Sequence, residues 1–539
     1  MPPNKVANTV SPGRKPRSVQ ARVHAWLILL IWAPAIFYRE RVAFNLAGAS
    51  CQWPALDGGN GARSSDPSVH VAVVADPQLT TYLSYRELGR GNPGLIAVEG
   101  ISDAYMSRAF RRAVLSNDPK HVLFLGDLID QGERIVNPEE WHRARRRFDR
   151  IFRWPRRASS ANTHATKYPL DGDDDDASRD RDASPVSYRT VHGNHDVGYS
   201  RFAVRLRHLY ARHEEYFGST NFVRRLGGVD LVGVGAMALD GADDPGARSA
   251  QTNETWAFVE SLGGGDEFGT SPFGDGDGTA VDDEGAGVET RCVGEPARPR
   301  VLVTHVPLSK RSYEPGTCGD RRTSEVVRDK THMNSTAGGR RVEIPRHDGL
   351  GCYYQDYLRP ATSRRLLDKV RPTLVLSGHD HDQCVGTHEV FARSGATGRA
   401  CATSGRSATE HTIGSFSFLM GNPRPSFAMM TVRGGCGERS RVGTDDGACP
   451  AELGAQELNT TPVNVSLCFL PSQWSTFRLY GALGVVTVLA AALSAVVDAK
   501  RRGAKPARAA ARGVAGVIGT CAAAAAIWTA VLLLDLSAP

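Results

Sequence analysis

Five times along this chain an apolar run of strand length ends in a short loop carrying a carboxylate, an imidazole or both. Val69 to Ala75 leads to Asp76, Pro77 and Gln78, and His121 to Leu125 leads to Gly126, Asp127, Leu128, Ile129 and Asp130. Arg189 to Val191 runs into His192, Gly193, Asn194, His195 and Asp196, Val301 to Val303 into Thr304 and His305, and Leu374 to Leu376 into Ser377, Gly378, His379, Asp380, His381 and Asp382. Short apolar runs bounded by turn residues read as buried strands. In an extended segment residues two apart point the same way, so His379 and His381 can address one site while Asp380 points elsewhere. Any one junction has a bland explanation, since Asp after a strand is often a helix cap and a lone histidine is more often a satisfied core residue. Five in one chain predict that the strand ends converge on one site built from metal-binding and proton-transfer groups.

The order D-x-Q, G-D-L-x-D, G-N-H-D, T-H, G-H-D-H resembles the calcineurin-like metallophosphoesterases. Within them it is most similar to the membrane-bound esterases that remove ethanolamine phosphate from the mannoses of GPI anchors. Asp76-Pro-Gln78, Thr304-His-Val-Pro-Leu308, Gly378-His-Asp-His-Asp-Gln-Cys384 and Glu410-His-Thr-Ile-Gly-Ser-Phe416, with Gly421 to Phe427 downstream, carry that second resemblance. The similarity covers roughly Val69 to Val432. It implies an α/β fold, a metallophosphoesterase-like β-sandwich flanked by helices, here with added transmembrane helices.

The resemblance also implies a site. Phosphoester hydrolysis at neutral pH needs a hydroxide nucleophile and neutralisation of the phosphoryl oxygens, which two divalent metals about 3.5–4 Å apart supply together. Asp127 is implied as the bridge between them. One metal would take Asp76, Gln78, Asp127 and His381, and the other Asp127, Asn194, His305 and His379. His195 would protonate the leaving alkoxide, with Asp130 orienting its imidazole, while His192 and Asp196 are expected to be structural. Gln78 stands where most of the superfamily has His. An amide oxygen is the harder ligand, which favours manganese or magnesium over zinc, so the expected cofactor is two divalent metal ions, Mn2+ first. The implied partner is a GPI-anchor glycolipid or GPI-anchored protein at a membrane, with no nucleic acid.

Charge placement supports the membrane and excludes the nucleic acid. The formal net charge is +7, but eleven basic residues lie in two segments, Lys5 to Arg22 and the loop 498–512, whose one acidic residue is Asp498. The remainder is net acidic, so the basicity marks topology rather than a nucleic-acid surface. Residues 25–38 are apolar but short of the roughly 20 expected of a full span. They form either a signal-peptide core, with Leu46 to Ala49 as cleavage region, or a signal anchor, which the long basic arm 1–24 favours. Residues 479–497 and 513–534 read as full spans joined by the cytosolic basic loop 498–512. The catalytic region, residues 66–435, is then expected in the lumen of the endoplasmic reticulum or Golgi, followed by a Cys-containing lumenal segment at 436–478. Asn253, Asn334, Asn459 and Asn464 head glycosylation sequons between the first and second apolar spans, and nine of the ten cysteines, Cys51 included, lie between those spans too. Nine is odd, so one thiol is free or Cys51 is lost on processing.

Two insertions, 158–184 and 263–295, are Asp- or Gly-rich and poor in apolar residues, and read as disordered. Helices are expected over Ile101 to Leu115, Pro138 to Arg150, Phe202 to Phe217, from Thr255 to Leu262, and over Ser363 to Val370, with a strand at Val229 to Ala238. Phe416 to Met420 and Phe427 to Val432 read as a closing hairpin around Asn422-Pro423.

Overall fold

The computed structural model describes residues 19–56, 68–85, 87–155, 186–199, 207–240, 249–263, 298–309, 335–336, 340–341, 357–390, 407–434, 462–502 and 506–537. The chain divides into two compact units, Phe44–Pro471 and a second made of Met1–Ala43 with Ser472–Pro539. Both expected insertions fall almost wholly outside the described residues.

The larger unit holds two sheets. The first has the order β13-β12-β1-β2-β3, from β1 (Ser68–Val74), β2 (His121–Phe124), β3 (Ser187–Thr190), β12 (Ser426–Arg433) and β13 (Val463–Phe469). The second has the order β10-β11-β9-β6-β5-β4, from β4 (Phe222–Leu226), β5 (Val229–Gly233), β6 (Arg300–Val303), β9 (Leu374–Ser377), β10 (Cys384–Glu389) and β11 (Ser407–Thr412). A short pair, β7 (Ser335–Thr336) and β8 (Arg340–Arg341), belongs to neither. Within the first sheet β1, β2 and β3 run parallel, and within the second β5, β6, β9 and β11 do.

Strand periodicity sorts the core into layers. Val69, Val71 and Val73 of β1 join Leu123, Val301, Val303 and Leu376 in one apolar cluster between the sheets. Their neighbours Ala72, Val74, Val122 and Phe124 face a second cluster with the helices Pro93–Ala109 and Pro138–Phe152. Val232, Leu302 and Val375 face a third, with Arg207–Phe217, Ala250–Ser261 and Pro360–Val370. The result is a helix–sheet–sheet–helix arrangement, a mixed α/β fold. Each fully buried valine of the inner layer contributes about 1.5–3 kcal/mol.

Several expectations need correcting. Phe418–Met420 is a 3-10 turn, not a hairpin arm, and β12 pairs instead with β1 and β13. The catalytic unit does not close at 435, because Val463–Phe469 supplies the outer strand of the first sheet; its alternation of Val and polar residues is the signal for a half-buried edge strand. The strand expected over Val229 to Ala238 stops at Gly233, before a 3-10 turn at Ala236–Ala238. The helix expected from Ile101 begins at Pro93, capped by the Asn92 side chain on the Gly94 N–H. Cys51 forms a disulfide with Cys468 of β13. Residues 51–56 then line that edge strand, with Asn464 Nδ2 donating to Ala55 O (2.8 Å) and Ser466 Oγ to Gln52 O (3.3 Å). A loop lying along an edge strand blunts it as a template for another chain.

In the smaller unit, helices at Gln473–Arg502 and Pro506–Ser537 contain the two stretches, Gln473–Arg501 and Ala510–Val531, that are long and apolar enough to cross a membrane. The N-terminal segment is helical from residue 19 and packs on both. Trp32 Nε1 donates to Thr487 Oγ1 (3.0 Å), Tyr480 Oη and Trp528 Nε1 donate to Glu40 Oε1 (2.7 and 3.2 Å), and Thr520 Oγ1 lies 2.8 Å from His24 Nδ1. Residues 24, 32 and 40 would diverge in a regular α-helix, and the π turns at Ile28–Trp32 and Tyr38–Val42, each taking up an extra residue, bring them to one face. Gly516 makes the approach possible, since a Cβ there would stand 2.1 Å from His24 Nε2.

Candidate metal centre

Parallel strands end on the same side, and here the ends of β1, β2 and β3 in one sheet and of β6 and β9 in the other deliver all nine of the sequence-predicted side chains to one region. Asp76 and Gln78 follow β1, Asp127 and Asp130 follow β2, Asn194 and His195 follow β3, His305 follows β6, and His379 and His381 follow β9. The backbone bends sharply to do it. Nine non-glycine residues have positive φ among the described residues, and five of them are Asp76, Gln78, Asp127, His379 and His381. A left-handed non-glycine residue costs about 1–3 kcal/mol and persists where surrounding structure holds it.

Two groups of donor atoms gather, each within 4.8 Å: Asp127, His305 and His379, and Asp76, Asp127 and His381. Asp127 belongs to both. Its Oδ1 accepts from the His195 backbone N–H (2.8 Å) and lies 3.3 Å from His305 Nε2, and its Oδ2 lies 2.9 Å from the Gln78 amide nitrogen. That amide nitrogen is also 2.9 Å from His381 Nε2. His305 donates through Nδ1 to the Leu125 carbonyl (2.7 Å), which leaves Nε2 facing Asp127 and Asn194 Oδ1 (3.3 Å). A histidine fixed this way presents the free nitrogen as a ligand.

The donors fit divalent cations. Asp76 is fully buried, its Oδ2 accepts from the His379 N–H (2.9 Å), and its Oδ1 has no hydrogen-bond partner. A buried carboxylate oxygen left unpaired is costly unless a cation meets it. Burial, together with the charge of Asp127, pushes Asp76 up to about 7, despite the opposing pull of His305. The backbone is also cut close: a Cβ on Gly193 would stand 2.0 Å from Asp127 Oδ1, and one on Gly378 2.8 Å from Asp76 Oδ2.

His195 stands beside this set. Its Nδ1 is 2.8 Å from Asp130 Oδ1 and its Nε2 3.9 Å from Asp127 Oδ2. Burial works against its charge, but Asp127, Asp130 and Glu133 outweigh that and push its pKa up to about 10, so the imidazole carries a proton at neutral pH. Asp196 touches none of the donor side chains. Its Oδ1 accepts from Leu128 N–H (3.0 Å) and its Oδ2 from Gly193 N–H (2.8 Å), tying the Asp127 loop to the Asn194 loop. Sequence reasoning did not bring in Glu133, whose buried Oε2 lacks a hydrogen bond; its position three residues past Asp130 was the available signal. Nor did it give a role to Glu410 or Asn422.

Comparison with known proteins agrees with this geometry. The calcineurin-like phosphoesterase family profile matches residues 69–383. The chain is 24% identical over 461 residues to Cell division control protein 1 of Saccharomyces cerevisiae, covering 84% of this chain and 71% of that protein. It is 26% identical over 472 residues to Metallophosphoesterase 1 of Pongo abelii (86% and 87% covered) and 23% identical over 458 residues to Metallophosphoesterase 1 of Mus musculus (83% of each). With its Asp and His donors gathered at the ends of parallel strands, the chain belongs to the calcineurin-like phosphoesterases, and it is a metal-dependent hydrolase of phosphoester bonds.

Proposed function

We propose that this hydrolase removes ethanolamine phosphate from a mannose of a GPI anchor, in the lumen of the endoplasmic reticulum or Golgi. The observation that carries the catalytic half of this reading is the sharing of Asp127 between two donor groups. Asp76, Asp127 and His381 would hold one divalent metal together with Gln78 once its amide turns to present oxygen instead of the nitrogen beside Asp127 Oδ2, with Asn194, His305, His379 and Asp127 holding the other; an amide oxygen favours manganese. Such metals, when bound, supply charge against the phosphoryl oxygens and lower the pKa of a water nucleophile. The protein does the rest. Asp130, 2.8 Å from Nδ1, orients His195 and favours its protonated form, so Nε2 can deliver a proton to the departing sugar oxygen. Asp196 keeps the two loops in register while this happens.

The substrate half rests on the resemblance of the four motif blocks to the GPI-anchor esterases and on two helices of membrane-crossing length. A lipid-linked substrate suits an enzyme held at the bilayer. Three further features support a lumenal site: the Cys51–Cys468 disulfide, the exposed Asn253 sequon, and basic segments flanking the spans on one side. The polar contacts of His24, Trp32 and Glu40 favour a retained N-terminal anchor over a cleaved signal. The test is hydrolysis of GPI intermediates bearing ethanolamine phosphate by the purified full-length protein, with and without manganese. Manganese-dependent release of ethanolamine phosphate is expected. Turnover of simple phosphomonoesters with no action on the glycolipid would point to another lumenal phosphoester.

A further inference from the structure

Strand β11 and the loop after it supply none of the donor side chains, yet they hold the loops that do. Glu410 on β11 is fully buried. Its Oε1 accepts from Ser377 Oγ (2.7 Å) and from the Leu308 N–H (3.1 Å), and its Oε2 from His388 Nε2 (2.7 Å). Ser377 lies two residues before His379, and Leu308 three after His305, so one carboxylate fastens two histidine loops. Farther on, Phe416 N–H donates to the carbonyl of Ala75, the residue before Asp76 (2.8 Å).

His381 receives the most direct support. Its φ is +61°, in the left-handed region that costs a non-glycine residue about 1–2 kcal/mol. The carbonyl of that same residue accepts two hydrogen bonds, from Ser415 N–H (3.2 Å) and from Asn422 Nδ2 (2.7 Å). Asn422 is itself 3% exposed, and its Oδ1 accepts from Arg424 N–H (2.9 Å), which fixes which end of the amide faces His381.

We propose that Asn422 is a positioning residue of the metal centre: by holding the His381 carbonyl it keeps a strained turn in place and aims that imidazole at Asp76 and Asp127. Glu410 does the same for the loops of His379 and His305. The inference rests on the donor assignment proposed above. Because Asn422 touches His381 and none of the other donors, its loss acts on one metal and spares the other.

The test is Asn422→Asp in the full-length protein. The variant keeps the volume and the acceptor for Arg424 N–H but loses the donor to His381. Manganese and cobalt titrations followed by calorimetry and elemental analysis, with the cobalt absorption spectrum as a second readout, should show one site weakened by about 10–100-fold. The other site should keep its affinity, while the melting temperature of the chelator-treated protein should fall only by the cost of one lost buried hydrogen bond and its unpaired carboxylate. His381→Ala serves as the reference. If it empties one site while Asn422→Asp leaves both affinities intact, Asn422 has no positioning role. If neither variant changes either site, the donor assignment itself is wrong. Equal loss at both sites, with the melting temperature of the metal-free protein lowered beyond that cost, would make Asn422 a residue of the fold at large, and would overturn the proposal.

Discussion

Two sets of histidines in the larger unit have opposite fates. His305 and His379, both buried, and half-buried His381 sit among Asp76 and Asp127, at the ends of strands from both sheets. His192 and His213 are buried too but face rings. His192 lies edge-on to Tyr210 (5.0 Å) and His213 (5.7 Å), and His213 packs on Phe217 (5.0 Å). Neither nitrogen of His213 has a hydrogen-bond partner. Burial pushes His192 down to about 3 and His213 well below its usual value, whereas His305, with Asp127 and Asp76 overcoming the effect of burial, is raised to about 9. The contrast exists even within one turn of chain, since His195 is three residues from His192. Carboxylate neighbours, not the imidazoles, separate a chemical site from a packing site.

The largest effect that follows is at the shared carboxylate. Asp127→Asn should weaken both metal sites and take hydrolysis below detection, well beyond the ~10²–10⁴-fold cost of losing a proton-transfer group. Elemental analysis with activity assays checks it, and retention of one full metal equivalent would break the idea that the two donor groups share this residue. Next comes His195→Ala, which should keep its metal and lose turnover by about 10²–10⁴-fold. Loss of metal with normal turnover per metal would move His195 from the acid to the ligands.

The smallest effect belongs to the other group. His213 has a folded-state pKa below its unfolded value of 6.5, so its neutral form is favoured in the fold. Above pH 6.5 both states are neutral and stability is at its full value. As pH falls from 6.5 toward the folded pKa only the unfolded chain takes up the proton, and stability drops by about 1.4 kcal/mol per pH unit. His213→Phe should therefore flatten the fall in melting temperature between pH 7 and pH 5, measured on the intact protein. An unchanged slope would mean that His213 is protonated in place.

Much of this was legible in the sequence, for a physical reason. The candidate donor loops follow strands directly, so Asp76, Asp127, His305 and His379 announce themselves through the apolar runs before them. Pairing partners far apart in the chain did not. The edge strand at Val463–Phe469 is defined by pairing with β12 and by the disulfide to Cys51, at a sequence separation of 417. Its alternation of Val and polar residues marks a strand, but nothing local names the strand it pairs with. β11 was visible only as a motif, Glu410 to Phe416, because its work is done through hydrogen bonds to Ser377, Leu308 and Ala75, which no local pattern predicts. His192, just before the G-N-H-D block, and His195, its third residue, show the same limit: identity is local, but the charge around it is tertiary.

The most direct test of the account is metal stoichiometry against activity. Purified full-length protein, stripped by chelator and titrated with manganese, should bind two equivalents per chain, with phosphodiester hydrolysis rising only as the second site fills. Full activity at one equivalent, or activity untouched by chelation, would contradict a centre in which Asp127 serves two metals.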